Sequence, residues 1–124
     1  MKKIFAILTL AVAPLMLTAC GGAKAPQSPA QTVFTVEGTY TAALNVAVAY
    51  RHLPVCGSGA ALCHDPAVVA KMVTANQAAR TALSTAETLV RDDTAPADKV
   101  AVAVLAAEQL VLQFQTLTQG VQTK

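Results

Sequence analysis

A chain of 124 residues, 54% of them hydrophobic and 13% charged, has room for one small domain with a modest core and too little for two. Its formal charge of +2 resides wholly in Lys2 and Lys3; beyond them, seven basic residues are scattered among seven acidic ones. Such a neutral chain lacks the basic footprint that nucleic acid or an anionic bilayer requires, so no nucleic-acid partner is expected.

In chain order, Lys2 and Lys3 precede an apolar run from Ile4 to Leu17, broken only by Thr9 and Pro14. The run is short of the roughly 20 apolar residues that a spanning helix needs. It closes on Leu17-Thr18-Ala19-Cys20, followed by Gly21. Residues 1–21 resemble the signal and lipobox of bacterial lipoprotein precursors. The resemblance implies that residues 1–19 are a signal peptide, that a diacylglyceryl group is attached to the Cys20 sulfur, and that the new amino terminus is acylated. One acyl chain gives only reversible membrane binding, whereas two or three on one residue anchor durably. In bacteria with two membranes, Asp after the lipidated cysteine usually holds such proteins in the inner membrane. Gly21 in its place implies the periplasmic face of the outer membrane.

The resemblance ends at residue 21, and the remaining segments are read from their residues alone. Removal of residues 1–19 leaves 105 residues. Residues 20–31 carry the lipidated Cys20 and then Gly, Ala, Pro, Ser and Gln with a single charge, Lys24. That composition cannot bury enough surface to offset the entropy of ordering, and it predicts a flexible tether reaching on the order of 30 Å. Residues 32–124 are expected to form the helical domain.

Three stretches have helical period. In the first, Val36, Tyr40, Ala43, Leu44, Ala47 and Tyr50 recur at three- and four-residue spacing, and Pro54 closes the stretch. The β-branched residues from Thr32 to Thr41 also allow an extended beginning, although no second strand-like run exists to pair with it. The second stretch opens on Asp65-Pro66, an N-cap with proline at the first helical position. Val69, Met72, Val73, Asn76, Ala79, Leu83, Ala86 and Val90 then form its apolar stripe. Asn76 interrupts that stripe, as a buried amide that fixes helix register through hydrogen bonds would. The polar residues 91–96 form a turn, with Thr94 or Ala95 capping a third helix and Pro96 and Asp98 in its first turn. The third stripe comprises Val100, Ala103, Val104, Ala107, Leu110, Val111, Phe114 and Leu117.

Leu105 and Leu112 fall outside that stripe. A helix in a three-helix bundle touches two neighbours, so packing against one of them is expected for this side; a partner surface is the alternative. Glu108, Gln109, Gln113 and Gln115 argue against a membrane span. Short connections predict an all-α, up-down-up three-helix bundle.

The linker between the first two helices gathers His52, Cys56, Cys63 and His64. With Cys20 taken by lipid, two cysteines remain in a secreted chain, and a disulfide is their simplest state. Gly57 and Gly59 supply the backbone freedom that a tight ring needs. Closing about eight residues contributes roughly 2.5 kcal/mol in the chain-entropy account. A zinc or copper site, covalent haem attachment and a redox dithiol are the competing readings; the six-residue gap is longer than each of them favours.

Nothing else has the spacing of an active site: there is no nucleophile elbow, phosphate loop or paired carboxylate. No cofactor and no resident metal are expected. Tyr40 and Tyr50 read as core and rim aromatics, with a binding face as the alternative. Together with Leu105 and Leu112 they are the candidate interface residues. The expected function is a non-enzymatic, lipid-anchored module that binds another envelope protein or forms a homo-oligomer. Outer-membrane spanin subunits, the phage lysis accessories, resemble this chain in size and lipid signal, but tend to be richer in proline and less helical. Inhibition of a periplasmic or lysozyme-like enzyme by the disulfide loop is a third expectation.

Overall fold

The computed structural model describes residues 27–122, so Cys20 and the expected signal segment, residues 1–19, lie outside the described residues. Three helices follow one another: α1 (Pro29–Arg51), α2 (Pro66–Arg91) and α3 (Ala97–Gln122). Each packs on the other two in the expected up-down-up bundle, with no strand among the described residues.

Helix α1 begins three residues earlier than the boundary expected at Thr32. Ser28 Oγ accepts from the Gln31 N–H at 3.3 Å, and Gln31 Oε1 accepts from the Ser28 N–H at 3.0 Å, closing a capping box ahead of Pro29 at the first helical position. Val33, one turn into the helix, is thereby buried. The threonines that allowed an extended start are accommodated within the helix. Thr35, Thr39 and Thr41 each donate a hydroxyl hydrogen bond to the carbonyl four residues back, at 3.0, 3.3 and 2.9 Å.

Asp65 caps α2 as expected, with Oδ1 accepting from the Ala67 N–H at 2.8 Å and Pro66 at the first position. The α2–α3 turn differs from expectation. Asp92 Oδ1 takes both the N–H and the hydroxyl of Thr94, at 2.9 and 2.6 Å, and its carbonyl takes the Ala95 N–H at 2.9 Å. Thr94 is therefore committed backward, and Pro96 stands just before α3, its carbonyl accepting from the Val100 N–H at 3.1 Å.

Phe114 is fully enclosed and stands among Val111, Ala107, Ala79, Met72 and Leu83. Five of the twelve buried apolar residues are alanine (43, 79, 86, 103 and 107), which lets the helices approach closely but limits the volume that can be desolvated. Thr118 extends the core at the C-terminal end and donates its hydroxyl to the Gln115 carbonyl at 2.8 Å.

The expectation that Leu105 and Leu112 pack within the bundle is corrected: each is 56% exposed. Leu105 and Leu112 stand about 100° around the helix from Val104 and Val111, beyond the arc that α1 and α2 cover. Val73, read as part of the α2 stripe, is also partly exposed. Among the described helices, α3 alone is long and apolar enough by composition to cross a membrane, with a mean hydropathy of 1.5. It lies along α1 and α2, with Val104, Val111 and Phe114 turned into the core.

Candidate functional site

The linker of residues 52–65 is held by bonds that converge from both flanking helices. Cys56 and Cys63 form the expected disulfide. Outside the ring, the Cys56 N–H donates to the His64 carbonyl at 3.0 Å and the His64 N–H donates to the Pro54 carbonyl at 2.8 Å, making a parallel bridge between Val55 and His64. His64 Nδ1 lies 2.6 Å from the Leu53 carbonyl. A carbonyl can only accept, so Nδ1 carries the proton in this contact. Gly57 and Gly59 have φ of +99° and +83°, a backbone region that side chains with a β-carbon disfavour, and this is how the chain reverses inside so small a ring.

Tyr50 joins the ring to both helices. Its hydroxyl accepts from the Asp65 N–H at 2.8 Å, and its ring meets the edge of His64 at 6.2 Å between centroids. Tyr40 is likewise turned inward: its hydroxyl donates to Asn76 Oδ1 at 2.8 Å, and its ring lies 5.9 Å from that of Phe114. Both tyrosines are half-buried with their hydroxyls committed within the chain. Of the four candidate interface residues, then, Leu105 and Leu112 face outward and the tyrosines do not. The Asn76 amide does the work that its place in the stripe suggested, linking α2 to α1.

With both sulfurs joined, the thiolates that the zinc and copper readings require are absent. Among the described residues no group of three or more His, Cys, Asp or Glu side chains is placed to hold a metal ion.

Sequence reasoning passed over two exposed residues of the linker. Leu62 is 70% exposed within the disulfide ring, and Val55 is 50% exposed beside it. The signal was present: an apolar residue next to Cys63 in a Gly/Ala/Ser loop has no core to enter. No protein-family model, curated protein or solved structure matches this chain. Its function therefore rests on its own residues.

Two further features complete the surface. At the α1 end opposite the linker, Glu37 faces Glu87 across the α1–α2 seam. A hydrogen bond with Glu87 raises the Glu37 carboxyl above its ordinary value, partial desolvation and the Glu87 charge raise it further, and Arg91 opposes them. Arg91 lies 3.9 Å from Glu87. Near the linker, a cleft of about 90 Å³ opens between α1 and α2 over Met72 and Phe114, with Arg51 on its lining.

Proposed function

We propose that this chain is a non-enzymatic, lipid-anchored lipoprotein of the cell envelope that captures a partner protein with its disulfide loop. The observation that carries this reading is positional. The chain enters the bundle at Pro29, at one end of α1, and the constrained loop lies past Arg51, at the other end. A helix of 23 residues spans about 35 Å, so an anchor on Cys20 would leave the loop at the far end from the bilayer. Leu62 stands exposed on a backbone already fixed by the disulfide, the Val55–His64 bridge and the Tyr50–Asp65 bond. An apolar side chain held rigid before contact loses little entropy on binding, which is how preorganised loops gain affinity.

The outer-membrane, periplasm-facing location belongs to the same proposal and rests on Cys20 and Gly21. Self-association through Leu105 and Leu112 is the second reading, favoured by their exposure on α3.

Photo-crosslinking in the host separates these readings. A crosslinking residue at Leu62 should yield a discrete adduct with another envelope protein, while one at Thr85 on the outer face of α2 should not. Adducts between two copies of this chain, formed from Leu105 and not from Leu62, would overturn the loop-capture reading in favour of self-association.

A further inference from the structure

We propose that the cleft between α1 and α2 binds a small aliphatic carboxylate, with its hydrocarbon chain between Val48 and Val73 and its carboxylate on Arg51. The cleft measures about 90 Å³ and is walled by Leu44, Val48, Val69 and Val73. Apolar cavities of roughly 150 Å³ admit a benzene ring, so this smaller and more open space suits a single linear chain. From Leu44 to Arg51 is seven residues of α1, a run of about 10 Å, which sets the length over which a ligand can lie along the helix.

Apolar surface remains open here: Val48 and Val73, on opposite walls, are 47% and 42% exposed. A chain laid between them would remove both from water, and the non-directional gain scales with the area covered.

The charge pattern selects the ligand's end group. Arg51 is the single charged residue on the lining and makes no ion pair among the described residues. Asp65, the acid at the start of the facing helix, has its Oδ1 committed to the Ala67 N–H. Asn76, the other polar group on the lining, has its carbonyl oxygen already bonded to Tyr40. Apolar walls with one cation are thus complementary to an amphiphile with one anionic end, and a guanidinium pairs with a carboxylate through two parallel hydrogen bonds. A lipid with two acyl chains is too large for the space.

The test titrates the chain from residue 27 onward, which keeps all three helices and every buried residue described, from Val33 to Thr118, with hexanoate, hexanol and hexylammonium, following methyl resonances. Hexanoate should bind saturably, shift the methyls of Leu44, Val48, Val69, Met72 and Val73, and leave those of Leu105 and Leu112 unmoved. Hexylammonium should bind at least tenfold more weakly. Arg51→Gln, at an exposed position, should weaken hexanoate about tenfold while changing hexanol by less than twofold. Val48→Trp, which covers the cleft from its exposed rim, should weaken hexanoate and hexanol alike. Equal binding of the three probes, indifference of hexanoate to Arg51→Gln, or shifts centred on α3's outer face would each overturn the assignment.

Discussion

Single residues carry much of the order in a domain whose core is so rich in alanine. The Tyr40–Asn76 hydrogen bond joins α1 to α2 beside Phe114. Tyr40→Phe should cost about 1 kcal/mol in urea unfolding, since it leaves a half-buried amide oxygen without its donor. If the bond is the cause, adding Asn76→Leu should cost less than the two changes apart, and strict additivity would show that the tyrosine acts through packing alone. The disulfide acts differently, by restricting the unfolded chain. Cys56→Ser with Cys63→Ser should lower the melting temperature by on the order of 10 °C, which follows from a loss of roughly 2.5 kcal/mol in a domain of this size. Glu37 sets a pH dependence. Its folded carboxyl titrates above its ordinary value because of Glu87, so its stabilising contribution is present in acid and is lost as the pH rises through that raised value. Glu37→Gln keeps a hydrogen-bond donor toward Glu87 without the charge. It should stabilise the domain at pH 7 by a few tenths of a kcal/mol, the scale of exposed charge pairs, and have less effect at pH 4. A gain that grew toward acid would invert the assignment.

At the scale of elements, the outer face of α3 tests how the bundle divides core from surface. Leu105→Gln with Leu112→Gln should change stability by less than about 1 kcal/mol, because both side chains are more than half exposed and glutamine keeps the stem. Phe114→Ala, by contrast, empties the centre of the core and should cost about 3–5 kcal/mol, enough to unfold so small a domain. Comparable losses in the two variants by thermal melting would mean that α3 is rotated from its described position. These leucines also show where sequence is informative. Helix type and the stripes around Met72, Leu83, Val104 and Phe114 follow from three- and four-residue spacing, and the Asp65-Pro66 start from local capping chemistry. The width of the arc that neighbours cover is a property of packing, and spacing alone does not contain it, so Leu105 and Leu112 were expected inside. Composition misled at Ser28-Pro29-Ala30-Gln31. A segment poor in large apolar residues reads as tether, yet its Ser and Gln sit at the reciprocal spacing of a capping box. At the site, the disulfide followed from the cysteine count and the compartment expected from residues 1–21. The inward bonds of Tyr40 and Tyr50 did not, because they join residues 36 and 15 positions apart.

For the whole molecule, the proposed anchor and the described bundle together favour one orientation. With α1 starting at Pro29, nine residues from Cys20 to Ser28 separate the lipid from the helix, a reach of at most about 30 Å. The α2–α3 turn around Thr94 lies at the same end of the bundle as Pro29, and the disulfide loop lies at the other, about 35 Å along α1. Lipidated protein in vesicles should therefore hold Thr94 nearer the headgroups than Ser58 in the loop. Fluorophores placed at these two positions through unnatural amino acids, so that Cys56 and Cys63 stay paired, and a headgroup acceptor should give markedly higher transfer efficiency from Thr94. The preference should weaken as the tether is lengthened with Gly-Ser repeats, since the bundle then tumbles through a larger volume. Cys20→Ala should remove the acyl mass and leave the precursor uncleaved at this site. Higher transfer from Ser58 in the lipidated protein would mean that the loop faces the bilayer, where no soluble envelope protein could reach Leu62, and the capture reading would fail with it.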